Sequence, residues 1–215
     1  MLRHEPGKDL IAAMKHLKLG KLLPTLSERF RLAEERKLTH QQAFLMILSD
    51  EVQRRDRMRV ETRARRAGLH PTMVFDEWDA TASVTYDQRL LDELRKLEFV
   101  EKHQHVLLLG PVGVGKTMLA QALGRVAIEA GFSVRYESAD KLFLTLRACR
   151  LDDTHRDELR RLARVDLLII DDFALRRLTD EETMDMYEMV TSRHRVGSMI
   201  VTSNRTPEEL SLIHI

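Results

Sequence analysis

The feature that most constrains this chain is GPVGVGKT at 110–117, set directly after the apolar run HVLLL at 105–109. It fits G-x-x-x-x-G-K-[ST] in full and stands between an expected buried strand and an expected helix. Gly110, Gly113 and Gly115 lack Cβ atoms, so backbone N–H groups can turn inward around a β-phosphate. Lys116 brings positive charge to the β- and γ-phosphates, the Thr117 hydroxyl suits Mg²⁺, and the helix N-terminus adds its partial positive charge. Pro111, Val112, Val114 and Met118 complete the stretch expected to line the phosphates. A glycine-rich turn with a chance lysine would lack this strand and helix on either side. A chain that builds this loop holds a polyphosphate, and its neighbours must say what for.

About fifty residues on comes LLIIDDF (167–173), in which four apolar residues lead into two carboxylates. This pattern predicts a buried strand that ends in acids at the C-terminal edge of a sheet. Asp171 is placed to hold Mg²⁺, directly or through water, and Asp172 to orient and polarise an attacking water. The bland alternative is a strand followed by a solvated turn; after such a loop, the acid pair favours hydrolysis over binding alone. A fourth apolar run, MIVTS (199–203), closes in TSNR (202–205), from which Asn204 could reach a γ-phosphate or the lytic water. The nine histidines show no metal-ligand spacing, and Ser, Cys and His show no arrangement for nucleophilic catalysis.

Between these motifs, strands are expected at HVLLL, SVRY (133–136), DLLII (166–170) and MIVTS, with helices at about 117–130, 139–149 and 180–194. Alternation of this kind predicts an α/β fold with a parallel sheet covered on both faces. The N-terminal third instead carries helical stripes. Leu10, Met14 and Leu17 recur at helical spacing with Gly20 as a stop, and Leu22, Leu23, Leu26, Phe30 and Ala33 follow. Thr39 and Gln42 match a capping box for a helix with Phe44, Ile47, Leu48 and Val52 on one face, closed by Gly68. Residues 69–85 look irregular, and Thr85 with Gln88 predicts a short helix bearing Leu90, Leu91, Leu94 and Leu97.

The net charge of +1 hides an asymmetry: residues 1–70 carry +7 and residues 71–215 carry −6. Two parts with different partners are expected, the basic one facing an anionic surface. Its densest stretch is RRDRMRVETRARR (54–66), seven arginines in thirteen residues, broken only by Asp56 and Glu61 among charged positions. Arg54, Arg55, Arg57, Arg59, Arg63, Arg65 and Arg66 are therefore candidates for phosphate-backbone contact, against the plain alternative of a solvated helix face. A single cysteine, Cys149, excludes a disulfide framework. No run approaches the ~18 apolar residues of a membrane span, and the charged start MLRHEPGKD is unlike a signal peptide. A cytoplasmic protein with no membrane partner is expected.

With these motifs in view, residues 95–209 resemble the ATPase domain of IstB-like proteins, the ATP-dependent helpers of insertion-sequence transposases. These are close relatives of the DnaC helicase loaders within the AAA+ class. The resemblance rests on VLLLGPVGVGKTMLAQALGRVAIEAGFSVRYESADKLFLTLR (106–147), LARVDLLIIDDFAL (162–175) and SMIVTSNRTPEEL (198–210), and more faintly on LKLGKLLPTL (17–26). It implies a P-loop NTPase sheet preceded by a small all-helical domain. The expected division is a basic helical domain at 1–68, a linker and short helix at 69–98, and an AAA+ core at 99–209. It further implies ATP and Mg²⁺ as cofactors, double-stranded DNA and a transposase as partners, and a nucleotide-dependent homo-oligomer. A replicative helicase in place of the transposase is the alternative. By position, Lys116, Asp172 and Asn204 fall to catalysis and γ-phosphate sensing, and Thr117 and Asp171 to the metal.

Two departures from the family are expected to matter. Many AAA+ proteins have Glu where Asp172 stands, and the carboxylate one methylene further from the water implies slow turnover. The family's fifth strand, helical lid and trans-acting arginines would follow residue 209, and LSLIHI (210–215) equals one reading frame of a transposase mosaic-end adapter used in sequencing libraries. A non-native tail on a shortened chain is the expectation. Without an arginine finger, typically worth 10³–10⁵ in rate, hydrolysis would be weak. A small-metabolite kinase would need a substrate lid and no basic helix, and a vestigial DNA-binding fragment would not need both acids.

Overall fold

A computed structural model describes residues 5–77 and 87–206. The chain divides into two compact units, residues 1–60 and 61–215. In the first, α1 (Lys8–His16), α2 (Leu23–Glu35) and the first part of α3 (His40–Ala67) gather Met14, Leu22 and Leu26 into a small core, with Leu19, Leu23, Phe30 and Ile47 against it. The expected capping box opens α3: the Thr39 N–H donates to Gln42 Oε1 at 2.9 Å, and the Gln42 N–H donates to Thr39 Oγ1 at 3.3 Å. Arg29 forks onto Asp50 at 2.6 and 3.2 Å, tying α2 to α3.

Two expectations for this unit are corrected. The first helix ends at His16 and the chain reverses at Lys18, which takes a left-handed φ of 59°, and not at Gly20. That turn brings the Leu19 N–H back onto the Met14 carbonyl at 2.7 Å and lets Leu19 and Leu22 reach the core, while Gly20 opens a single 3-10 turn. On α3, Ile47 packs inward but Phe44 and Val52 are exposed. The position at the heart of that helix is Glu51, only 3% exposed and paired with Arg54 and Arg55.

In the second unit, β1 (Val106–Leu109), β2 (Val134–Ser138), β3 (Leu167–Asp171) and β4 (Ser198–Ser203) form one sheet in the order β1-β4-β3-β2. Every pairing is parallel, as the alternation predicted. Every residue of the central strands β3 and β4 is buried, which is why both read as near-continuous apolar runs. Leu168, Ile170, Met199 and Val201 face a core built with α7 (Ala139–Leu151), α8 (His155–Arg164) and α9 (Asp180–Arg193). Ile169 faces α6 (Lys116–Glu129), whose Gly124 leaves no room for a methyl group: a Cβ there would lie 2.7 Å from Ile169 Cδ1.

Helix α8 was not anticipated. Its sequence HRDELRRLAR buries only Leu159 and Leu162, so its apolar stripe is two residues wide amid six charges, and it escapes a search for apolar periodicity. The short α4 (Gln88–Arg95) is capped by Asp87, whose carboxylate accepts from the Arg89 and Leu90 N–H groups at 2.9 and 3.3 Å. The expected cap, Thr85, lies outside the described residues. Of that helix's leucines, Leu91 is buried and Leu90 exposed; Leu97 lies buried at a left-handed turn into α5 (Glu98–Glu101).

The roots of β3 and β4 are held by one fully buried side chain, Arg193. Its guanidinium donates to the carbonyls of Leu162, Val165, Asp166 and Ser198, joining the ends of α8 and α9 to the starts of both central strands. Burial lowers its pKa to about 10, which leaves it charged at neutral pH. Arg193→Met should cost about 3 kcal/mol or more, because it strips buried carbonyls of their donors. Equilibrium urea denaturation checks this; a loss below about 1 kcal/mol would mean that water replaces the guanidinium.

Candidate nucleotide site

The phosphate loop leaves β1 at Leu109 and enters α6 at Lys116. Gly113 and Gly115 take φ of 86° and 92°, the left-handed region that favours glycine and turns successive N–H groups to one side. The Lys116 ammonium donates to the Gly110 and Pro111 carbonyls, each at 2.8 Å, so the side chain folds back along its own loop. Val112 is 80% exposed at the loop's tip, which keeps the concave side free of bulk. Thr117 and Met118 follow in the first turn of α6.

Strand order brings the second motif to this loop. With β4 between β1 and β3, the end of β3 lies two strands from the loop, and Leu109 pairs with Ser203. Asp171, 2% exposed, receives three hydroxyl donors from three elements. Thr117 Oγ1 of α6 donates to Oδ1 at 3.1 Å, Thr202 Oγ1 of β4 donates to the same oxygen, and Tyr136 Oη of β2 donates to Oδ2 at 2.7 Å. Burial first, and then donation to Asp171, pushes the Tyr136 hydroxyl far above the usual phenol range, so it stays a donor.

Asp172 is half-buried at a left-handed φ of 55°, a conformation that aspartate tolerates better than most residues. Its N–H donates to Thr202 Oγ1 at 2.9 Å, so one hydroxyl donates to Asp171 and accepts from Asp172. Burial, followed by the neighbouring Asp171 charge, raises the Asp172 carboxyl above its ordinary range, and Lys116 opposes the rise. Asn204 follows β4 directly and is half-buried. The next residue, Arg205, donates to the Ala174 and Leu175 carbonyls and so ties the end of β4 to the segment after the acids.

A buried carboxylate ringed by hydroxyls, beside a threonine hydroxyl and a lysine, suits a hard dication with oxygen ligands and a phosphate chain next to it. Tyr136 and Thr202 were not anticipated. Thr202 stood within the quoted TSNR, and alternation along β3 and β4 would have placed it on the same face as Asp171. Tyr136 could be found only by knowing that β2 lies beside β3.

The arginines of 54–66 separate by what they touch. Arg54 and Arg55 hold the buried Glu51, whose carboxyl is drawn down to about 2 chiefly by its hydrogen bond from Arg54. Arg63 donates to the carbonyls of Ile128, Gly131 and Phe132, capping the C-terminal end of α6 where a cation is favoured. Arg59 makes an exposed pair with Asp56, and Arg57, Arg65 and Arg66 are exposed. Thr202→Val should cost about 1–3 kcal/mol, since it keeps the shape and leaves a buried carboxylate short of a donor. The same exchange at exposed Thr191 should stay within about 0.5 kcal/mol. Parallel urea titrations compare the two, and equal costs would show that the Thr202 hydroxyl carries no load.

The model of the IstB-like ATP-binding protein family matches residues 12–213. A Mycobacterium tuberculosis protein, Rv3427c, named for ATP binding in an insertion sequence, is 33% identical over 196 residues, covering 91% of this chain and 78% of that protein. Among solved structures, AMPPCP-bound DnaA from Aquifex aeolicus superposes with a TM-score of 0.58 at 25% identity, over 67% of this chain and 47% of that one, so this chain spans less than half the length of that chain. The DnaC helicase loader shares the fold, with a TM-score of 0.50 at 21% identity over 62% of this chain and 81% of that one. With a P-loop, a parallel sheet in this order and a family match over nearly its whole length, the chain belongs to the IstB-like ATP-binding proteins of the P-loop AAA+ fold.

Proposed function

We propose that this chain binds ATP with Mg²⁺, hydrolyses it slowly, and uses the bound nucleotide as a signal to assemble on double-stranded DNA and assist a transposase. The observation that carries the reading is the convergence of Lys116, Thr117 and Asp171 at one end of the sheet. Lys116 and the loop N–H groups would hold the phosphates. Thr117 and Asp171 would hold Mg²⁺, which supplies charge neutralisation along the phosphates. Asp172, lifted above its usual range beside Asp171, is suited to accept a proton from water, and its left-handed backbone aims it from the strand end. Asn204 stands one strand over as the candidate γ-phosphate sensor.

Nucleic-acid contact is carried by exposed arginines. Arg57, Arg65 and Arg66 are exposed and available to phosphates, and so is Arg59 once it leaves its exposed pair with Asp56, whereas Arg54, Arg55 and Arg63 are held by Glu51 and by backbone carbonyls. Contacts from these arginines to phosphates would carry no sequence information, so binding without sequence preference is the form proposed. The relatives' names place them in insertion sequences, which favours a transposase as the partner. The likeness in fold to a helicase loader supports the second reading, in which a replicative helicase takes that place.

DNA binding with and without ATP and Mg²⁺, over a salt series, tests the proposal. Binding should tighten with ATP, and Lys116→Ala should abolish that gain. Arg65→Ala should weaken binding for all sequences and flatten the plot of log K against log salt by roughly 1. ATP binding with no DNA affinity at low salt would overturn the DNA reading.

A further inference from the structure

The Asp171 carboxylate has two oxygens in different hands. Oδ1 is shared by Thr117 and Thr202, and Oδ2 takes the Tyr136 hydroxyl at 2.7 Å. A carboxylate turns readily about its last torsion, so its plane is set by what grips each oxygen. We propose that Tyr136 is a positioning residue, whose hydroxyl on Asp171 Oδ2 fixes the carboxylate plane and so sets the affinity of the nucleotide site for its divalent cation. The inference rests on the ATP and Mg²⁺ reading above.

The sheet explains why a tyrosine is needed. Tyr136 pairs with Ile169, so Asp171 is its diagonal neighbour two residues further along β3 and on the same face. With parallel strands about 4.8 Å apart and a rise of about 3.3 Å per residue, such neighbours stand about 8 Å apart, within reach of an aromatic side chain. A serine or threonine at 136 would fall short, and phenylalanine would fill the space with no donor. The residue is also confined at its back: a Cβ on Gly68 would lie 2.8 Å from the Tyr136 carbonyl oxygen and 3.7 Å from its ring. Beside the hydroxyl stands Gln121, two turns of α6 at most from the loop, whose Oε1 accepts the His70 N–H at 2.8 Å. At 2% exposure, Asp171 has little access to water that could replace the phenol. Partners that orient a metal-binding carboxylate typically account for 10–100-fold in metal affinity.

Tyr136→Phe in the full chain isolates the hydroxyl, because ring packing and strand pairing stay. Mn²⁺ serves as the probe, with bound and free ion separated by electron paramagnetic resonance at saturating ADP, and a fluorescent nucleotide is titrated in EDTA. The expected result is Mn²⁺ affinity lowered about 10-fold or more, with nucleotide affinity in EDTA unchanged. Wild-type Mn²⁺ affinity in the variant would overturn the proposal alone. A variant that loses nucleotide in EDTA as well would assign Tyr136 to the fold and also overturn it. A wild-type chain that takes up no Mn²⁺ with nucleotide would overturn the parent reading and this one together.

Discussion

The second unit depends on keeping one carboxylate buried. Asp171 is 2% exposed at the end of the most buried strand, and no arginine or lysine pairs with it among the described residues. An ionised group in that position must be met by donors, and they come from α6, β2 and β4. Meeting this demand fixes the relative positions of the phosphate loop, the acid strand and the strand that leads to Asn204. The sheet order β1-β4-β3-β2 is what makes it possible, since it seats β3 between the two strands that supply Thr202 and Tyr136. Arg193 does the corresponding work at the other end of the strands, where buried carbonyls are met by a buried cation.

How much of this could be read from the chain follows from the range of each interaction. The phosphate loop was legible because its demands are local: glycines for backbone turns, then lysine and threonine at the start of a helix. The strands were legible because burial on both faces writes itself as LLII or MIVTS. Tyr136 and Thr202 serve the same site but answer to strand order, a long-range property. Helix α8 was missed because Leu159 and Leu162 alone mark its buried side. The chain reverses after the first helix at Lys18 in place of Gly20 because packing of Leu19 and Leu22 outweighs the conformational ease of glycine.

The arginine-rich stretch shows how composition overstates function. Seven like charges in thirteen residues read as one basic patch. In the structure Arg54 and Arg55 neutralise Glu51, and Arg63 caps α6. With Arg59 paired to Asp56 at the surface, four of the seven have acceptors within the chain, and the surface left for an anionic partner is smaller than the charge count implies. The acid pair shows the opposite case, in which two adjacent identical residues take different environments. Asp171 is enclosed by hydroxyls, whereas Asp172 turns out through a left-handed backbone and is lifted by burial and by its neighbour. Different environments for two carboxylates are what a division between metal holding and proton transfer requires.

The proposed function requires nucleotide and cation to share the site beside Asp171. Calorimetric titration of ATP into the full chain, once with Mg²⁺ and once with EDTA, tests it most directly. Saturable 1:1 binding that is tighter with Mg²⁺, with the metal-dependent gain lost in Thr117→Ala, is the predicted result. Failure to bind ATP, or binding that Mg²⁺ and Thr117 leave unchanged, would contradict it.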